Sequence, residues 1–240
     1  MKTKQTSSHM YGAAKTWNPF KGCRYDCSYC VPSFQQQAKR QKHNCDACYR
    51  YAPHAHPDRL SKIPAAEIVF VCGNGDISFA DPSYVRRIIE AIRGAGGGRT
   101  FYLQTKKPAF LEPFLGLLPQ TVILVTTLET NRDEGYSRVS KAPLPSERFA
   151  QFLALDHPRK VVTIEPMLDF DVDEFAGWIA RIGPEYIWLG FNSREAQVRL
   201  PEPPVEKVRR FVALLVARGI PIRGKKLRGI PLPGVERHQD

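Results

Sequence analysis

The segment Trp17-Asn-Pro-Phe-Lys-Gly-Cys-Arg-Tyr-Asp-Cys-Ser-Tyr-Cys30 places three cysteines, Cys23, Cys27 and Cys30, within eight residues. The C-x3-C-x2-C spacing lets one short loop direct all three sulfurs toward a common centre. Iron–sulfur clusters are held by cysteine thiolates, in the usual case by four of them. Three thiolates therefore predict an iron–sulfur cluster in which one iron is free to bind another ligand.

Bulk properties indicate an intracellular globular protein. The chain has 240 residues, 42% of them hydrophobic, which is enough for one full core, so we expect a single domain over residues 11–240. The polar residues 1–10 are predicted to form a disordered leader. No apolar run is long enough to span a membrane, and no signal peptide is recognisable. Clustered cysteines in a reducing compartment bind metal more often than they form disulfides, so we expect a cytoplasmic location and no membrane partner.

The net charge of +11 indicates a polyanionic partner. Residues 37–62 carry six Lys or Arg against two Asp, and residues 201–240 carry nine against four acidic residues. In the first stretch Tyr49 and Tyr51 alternate with cations, a combination that holds nucleic acids through phosphate contacts and base stacking. The second stretch adds Arg223, Lys225, Lys226 and Arg228. DNA, RNA or a nucleotide is therefore a candidate substrate, and an ordinary solvated basic surface is the alternative.

Short apolar runs alternate with amphipathic segments along most of the chain. Strands are predicted near 14–17 and at 68–71, 100–103, 121–128, 160–164 and 186–189, and helices at 84–93, 108–118, 145–155, 172–182 and 205–218. This pattern predicts an α/β fold with a parallel sheet, either a complete or partial βα barrel of about six units or a doubly wound open sheet. Polar residues follow successive strands, which favours a barrel with its site at the carboxyl ends of the strands. They are Asp76, Lys106, Glu129, Asn131, Glu165 and Asn192.

A second cysteine pair lies in the basic insertion at about 37–62. Cys45 and Cys48 are followed by His54 and His56, a composition typical of a four-coordinate zinc site. The histidine spacing is tighter than in zinc fingers, so a reduced cysteine pair with ordinary surface histidines is the alternative. Cys72, at a strand end, is either a core residue or a hydrogen-atom donor in the site.

Several segments together resemble a known family. An aromatic residue, Tyr29, directly precedes the last cysteine of the triad, which is typical of the radical S-adenosylmethionine (SAM) superfamily. The chain also resembles short radical SAM proteins of unassigned function, some found in phage genomes, and more distantly spore photoproduct lyase. The matching segments are Trp17-Asn18-Pro19-Phe20, Cys72-Gly-Asn-Gly-Asp76-Ile-Ser-Phe79, Thr127-Leu-Glu-Thr-Asn131, Ser140-Lys141-Ala-Pro143 and Thr163-Ile-Glu-Pro166.

The resemblance implies a [4Fe–4S] cluster on Cys23, Cys27 and Cys30, with SAM on the open iron. One electron, from a donor such as flavodoxin or ferredoxin, would cleave SAM to a 5′-deoxyadenosyl radical that abstracts a substrate hydrogen. Glu165 would be a contact of SAM or substrate, or alternatively an ion-paired barrel residue. The other SAM-binding residues implied are Tyr29, Gly73, Asn74, Gly75, Asp76, Glu129 and Asn131.

Two other functions are consistent with the residues. A zinc-binding nucleic-acid-binding module would use all five N-terminal cysteines for zinc and no SAM. It explains the charge but not the polar residues after successive strands. A barrel that binds SAM without turnover is the third interpretation.

Overall fold

A seven-stranded sheet follows the order of the chain, and every neighbouring pair of its strands is parallel. The computed structural model describes residues 14–225, without the side chain of residue 225, and residues 227–231. The predicted leader and Lys226 lie outside the described residues. The sheet consists of β1 (Lys15–Trp17), β4 (Ile68–Val71), β5 (Thr100–Gln104), β6 (Val122–Thr127), β7 (Lys160–Ile164), β8 (Tyr186–Gly190) and β9 (Ile222–Lys225). A separate two-stranded sheet pairs β2 (Phe20–Lys21) with β3 (His54–Ala55).

The sheet curls into a half-barrel, which confirms the predicted partial barrel. A doubly wound sheet would reverse its strand order at an internal switch point, whereas this order runs from β1 to β9 without reversal. The predicted six units omitted β9. Its sequence, Ile-Arg-Gly-Lys, has no apolar run, and within the described ranges its one strand partner is β8, at the sheet edge.

Helices cover the outer face of the half-barrel. They are α3 (Pro82–Gly94), α4 (Pro145–Ala154), α5 (Val172–Ile182) and α6 (Val205–Ala217). Two short helices, α1 (Gln36–Ala38) and α2 (Asp46–Tyr49), lie between β2 and β3. The segment Pro108–Leu117, predicted to be an α-helix, is a 3₁₀ helix that contains Pro113. Proline has no N–H for the α-helical hydrogen bond, and this favours tighter turns.

Both faces of the strands are buried, as their continuous apolar runs predict. Phe101 and Leu103 of β5 belong to the main core under the helices, whereas Tyr102 points to the inner face. There its hydroxyl accepts a hydrogen bond from Tyr186 of β8 (3.1 Å). This packing leaves the carboxyl edge of the sheet as the place where polar side chains gather. Among the described residues, none of the helices has the length and apolar character that crossing a membrane requires.

Candidate functional site

Gly22, directly before the first cysteine, packs against the loop that follows β4. Its N–H donates to the carbonyl of Asn74 (3.0 Å), and its carbonyl accepts from the N–H of Asp76 (3.1 Å). These bonds form a parallel bridge between Gly22 and Gly75, and a Cβ at position 75 would lie 2.6 Å from the backbone of Gly22. The predicted SAM-binding segment 73–76 therefore lies directly beside the cysteine loop.

On its other side, Gly22 contacts the basic insertion. A Cβ at position 22 would lie 2.1 Å from the carbonyl oxygen of Ala52, and the residue has φ +90°. The next residue, Cys23, donates its N–H to the carbonyl of Tyr51 (3.2 Å). Position 22 is thus held between two backbones, which only glycine permits.

The loop after β6 holds the middle of the cysteine loop. The N–H of Ser28 donates to the carbonyl of Val139 (2.8 Å), and the N–H of Lys141 donates to the carbonyl of Tyr25 (2.7 Å). The matching segment 140–143 of the sequence is therefore a backbone support for the three thiols.

The three thiols differ in burial and in pKa. Cys27 is buried, with its Sγ 3.1 Å from Oγ of Ser140, whereas Cys23 and Cys30 are half-buried. A hydrogen bond from Cys30 outweighs burial and lowers the pKa of Cys27 to about 5. The Sγ of Cys23 accepts from the N–H of Tyr25 (3.4 Å). Burial raises the pKa of Cys23 to about 12, so the three thiols are not alike before a cluster binds. Three cysteine sulfurs on one loop are nevertheless a ligand set that iron–sulfur clusters use, so these residues fit the group that the loop predicts.

A buried ion pair lies next to the cysteine loop. Nζ of Lys106, after β5, contacts both the hydroxyl of Tyr29 and Oε1 of Glu129, which follows β6. Tyr29 donates to the same carboxylate oxygen (2.5 Å). Burial alone would lower the pKa of Lys106, but the negative charges of Cys27 and Glu129 outweigh it and raise that pKa.

Arg148 and Tyr136 complete the shell around Glu129. Nη2 of Arg148, on α4, lies 2.8 Å from Oε2 of Glu129, and both side chains have no exposed surface. The hydroxyl of Tyr136 donates to both carboxylate oxygens (3.1 and 3.2 Å). Burial would raise the pKa of Glu129, but the charges of Arg148 and Lys106 prevail and hold it well below its usual range. Arg148 and Tyr136 were not among the predicted site residues, because neither directly follows a strand.

The carboxylate of Asp76 is also occupied by protein donors. It accepts from Oγ1 of Thr105 (2.7 Å), from the N–H of Ser78 (3.0 Å) and from the N–H of Lys106 (2.8 Å). Asp76 thus joins the ends of β4 and β5, and with Glu129 it brings three of the predicted strand-end residues together beside the thiols.

The other three predicted strand-end residues form hydrogen bonds with residues outside the cysteine loop. Asn131 donates to Glu174 (2.8 Å) and accepts from the N–H of Asp171 (2.8 Å). Glu165 accepts from the indole of Trp188 (2.6 Å), and Asn192 shapes the loop after β8 through backbone contacts. The described hydrogen bonds of Asn131 and Asn192 do not join them to the cysteine loop.

Cys72 lies in the main core, with 2% of its surface exposed. Its N–H donates to the carbonyl of Trp17 (2.7 Å), and burial raises the pKa of its thiol to about 12. These observations agree with the core interpretation, while its role as a hydrogen-atom donor stays a prediction.

We expect Cys72 to resist alkylation in the folded chain. The thiolate is the reactive form, and burial disfavours it, so iodoacetamide should label Cys72 at least about tenfold more slowly than a solvent-exposed thiol. Mass spectrometry of tryptic peptides measures the labelling with and without urea. Equal labelling rates in both conditions would contradict the burial of Cys72.

The second cysteine pair and the two histidines converge on one point. The ligand atoms of Cys45, Cys48, His54 and His56 all lie within 4.8 Å of one another. Cys45 caps α2, and the histidines lie on and directly after β3. The structure therefore brings the four residues of the predicted zinc set together.

A basic groove of about 420 Å³ borders the helical segment after Cys30. Its lining includes Lys39, Arg40 and Arg194. Arg40 and Arg194 form no ion pair with any residue that the structure describes. Next to the groove, Phe34 is 41% exposed, and it lines, with Arg40 and Gly22, a cavity of about 180 Å³.

The predicted basic footprint is narrower in the structure than in the sequence. Arg50 pairs with Asp46, and Lys62 pairs with Asp58 (3.2 Å). At the C-terminal end, Arg228 pairs with two glutamates, and the guanidinium of Arg223 lies 3.8 Å from the centre of the Tyr186 ring. Lys226 and the side chain of Lys225 lie outside the description. Arg40 and Arg194, which line the groove, are among the described cations that keep no ion pair.

Solved structures share this architecture, although no protein-family model and no curated protein matches the chain. A radical SAM methyltransferase from Sphaerobacter thermophilus superposes with a TM-score of 0.58, 16% identity and coverage of 88% of this chain and 65% of that one. Streptococcus suis SuiB superposes with a TM-score of 0.56 and 9% identity, over 88% of this chain and 49% of that one. A variant of spore photoproduct lyase superposes with a TM-score of 0.54 and 12% identity, over 82% of this chain and 60% of that one. Another variant of that lyase, with bound AdoMet and dinucleoside spore photoproduct, also matches.

The chain spans about half to two thirds of the length of these structures. Identities this low establish a shared fold and no more. The predicted partial βα barrel is thereby confirmed, and the chain shares this fold with solved structures that include a radical SAM methyltransferase and spore photoproduct lyase.

Proposed function

We propose that the chain is a radical SAM enzyme. The observation that carries this proposal is the three-thiol loop beside the carboxyl ends of β4, β5 and β6, in a fold shared with radical SAM enzymes. In the proposal, Cys23, Cys27 and Cys30 hold a [4Fe–4S] cluster. When bound, the cluster and SAM supply a 5′-deoxyadenosyl radical that abstracts a substrate hydrogen.

The residues of the chain bind and orient in this proposal. The segment Gly73, Asn74, Gly75 and Asp76, which is bonded to Gly22, offers backbone groups to SAM next to the thiols. Tyr29 presents its ring toward the adenine. Its hydroxyl is held by Glu129, so we assign Glu129 a positioning role for Tyr29 and Lys106 rather than a direct contact with SAM.

Asn131 and Glu165 contribute more distant contacts to SAM or substrate. Their present partners, Glu174 and the indole of Trp188, fix both side chains in defined orientations. The electron comes from a protein such as flavodoxin or ferredoxin, which is consistent with a cytoplasmic, reducing location.

Anaerobic reconstitution with iron and sulfide tests the proposal. After reduction with dithionite and addition of SAM, we expect 5′-deoxyadenosine from the unmodified chain and none from Cys27→Ala. A brown, cluster-loaded chain that forms no 5′-deoxyadenosine would favour a barrel that binds SAM without turnover. A colourless chain that binds zinc alone would favour the nucleic-acid-binding module without SAM chemistry.

The proposed substrate is a nucleic acid or nucleotide. The unpaired guanidinium groups of Arg40 and Arg194 are suited to phosphates, and the exposed ring of Phe34 is suited to stacking on a base. A base acted on by a buried radical has to leave its stack first. The bound dinucleoside of the spore photoproduct lyase structure is a property of that protein, but it is compatible with this choice.

We expect a single-stranded oligonucleotide to bind in a salt-dependent way. The double substitution Arg40→Glu and Arg194→Glu should weaken binding and reduce the salt slope by roughly 1.4, since two phosphate contacts are lost. Fluorescence anisotropy at increasing salt measures both quantities. Arg93→Glu is the control. Arg93 is exposed in the last turn of α3, which lies toward the amino ends of the strands and away from the groove. Absence of binding at low salt, or an equal effect of the control, would contradict the proposal.

A further inference from the structure

The second cysteine pair has the dimensions of a metal site. Sγ of Cys48 lies 3.2 Å from Nε2 of His54 and 3.2 Å from Nε2 of His56, and Sγ of Cys45 lies 3.5 Å from Nε2 of His54. A tetrahedron built on ordinary zinc–sulfur and zinc–nitrogen distances has sulfur–nitrogen edges of about 3.5 Å. Three of the distances between the ligand atoms therefore lie near such an edge, and all four ligand atoms lie within 4.8 Å of one another.

Hydrogen bonds alone do not explain these three contacts. Nδ1 of His54 lies 2.7 Å from the carbonyl oxygen of Ala52, which accepts only from a protonated ring nitrogen. In the neutral ring, Nε2 then presents a lone pair to both sulfurs. That nitrogen has one lone pair and accepts one well-directed S–H hydrogen bond, so the second sulfur faces it lone pair to lone pair, whichever ring nitrogen of His56 carries the proton. A cation at the centre resolves this repulsion, and the bond to Ala52 is the kind of support that metal-binding histidines receive.

We propose that Cys45, Cys48, His54 and His56 bind one zinc ion. This ion stabilises, or braces, the three-thiol loop by holding the insertion that contacts it. Four protein ligands with no open position are typical of a structural zinc site, and thiolate with imidazole is a donor set that zinc prefers. Zinc binding does not rest on the proposed radical SAM function, because the two groups share no cysteine.

The zinc ion acts on the first loop through backbone contacts. It links α2 to β3, and β3 pairs with β2, which ends directly before Gly22. The N–H of His56 donates to the carbonyl of Pro19 (2.6 Å), and the carbonyl of Tyr51 accepts from the N–H of Cys23. Both ends of the segment that leads into the first cysteine are therefore held by the zinc-bound insertion.

The triple variant Cys23→Ser, Cys27→Ser, Cys30→Ser isolates the second group. Purified without iron reconstitution, it should contain one zinc ion per chain by elemental analysis. Cobalt added to the zinc-free form should give the intense visible bands of tetrahedral cobalt together with thiolate charge transfer. A triple variant that holds no metal, or that holds iron in place of zinc, would overturn the assignment.

Two further substitutions in this background identify the ligand. His56→Ala should remove most of the zinc, and His56→Cys should restore it, since cysteine is also a zinc ligand. Circular dichroism confirms that both variants are folded. Unchanged zinc content in His56→Ala would show that the metal lies elsewhere.

The stabilising effect of zinc on the insertion is measured separately, in the unmodified chain. Removal of zinc with a chelator should make residues 37–62 a preferred site of limited proteolysis and return them to resistance when zinc is added. A cleavage pattern that does not respond to zinc would overturn the bracing role.

Discussion

Replacing Glu129 with alanine is expected to lower the free energy of unfolding by about 3–5 kcal/mol, because it leaves two buried cations without their carboxylate. Arg148 has no exposed surface, and the side chain of Lys106 is 12% exposed, so water does not replace the lost charge. Urea denaturation of the cluster-free chain, followed by circular dichroism, measures the change.

Glu185→Ala is the matched control for this prediction. Glu185 pairs with Arg159 at the surface, where both side chains are about one third exposed. Exposed pairs of this kind contribute about 1 kcal/mol or less. Similar midpoints for the two variants would mean that the Glu129 pair is not buried as described.

The same carboxylate predicts how stability depends on pH. The pKa of Glu129 in the folded chain lies below its ordinary value of 4.5, so the unfolded chain binds this proton more readily. Its contribution to stability is therefore complete above that ordinary value and is lost as the pH falls below it. Between about pH 5 and pH 2, stability should fall more steeply for the unmodified chain than for Glu129→Gln, by up to about 1.4 kcal/mol per pH unit. Parallel profiles would contradict the depressed pKa.

Replacing Gly22 with alanine is expected to destabilise the chain by about 3 kcal/mol or more. The new Cβ would meet the peptide of Ala52 at 2.1 Å, and the backbone at φ +90° disfavours any L side chain. Neither obstacle can be removed without moving the insertion away from Cys23. Urea denaturation measures the loss, and iron content after reconstitution reports whether the first loop still assembles.

Gly177→Ala provides a control with the opposite sign. Gly177 lies inside α5, and nothing lies within 4 Å of a Cβ built there. Alanine should stabilise this helix by about 0.5–1 kcal/mol, because glycine loses more conformational freedom on folding. Two glycine-to-alanine changes with equal effects would show that the contact between Gly22 and Ala52 does not decide the outcome.

Gly22 and Glu129 both position the first cysteine loop, through different contacts. Gly22 permits the loop to lie between the β4 loop and the insertion, whereas Glu129 holds Tyr29 and Lys106 against it. The three thiols are thus placed by contacts from four separate segments of the chain. This explains why substitutions well outside the C-x3-C-x2-C motif are expected to disturb it.

Local pattern was sufficient for most of the architecture. The strands at 68–71 and 160–164 and the helix at 172–182 have the predicted bounds, because a buried parallel strand reads as a short apolar run and a covering helix has period 3.6. The 3₁₀ helix at Pro108–Leu117 and the edge strand Ile222–Lys225 were not predicted correctly. In the first a proline alters the turn, and in the second no apolar pattern is needed at an edge.

The sequence by itself determined the parallel α/β fold, the three-cysteine loop and the composition of the second Cys/His group, because each depends on residues close together in the chain. Only the tertiary structure decided which distant groups meet. The pairing of Glu129 with Arg148, the position of Gly22 between two backbones and the close approach of Cys48 to both histidines depend on how separate loops pack. No local periodicity encodes such contacts, since they arise when strand ends and the insertion are brought to one edge of the sheet.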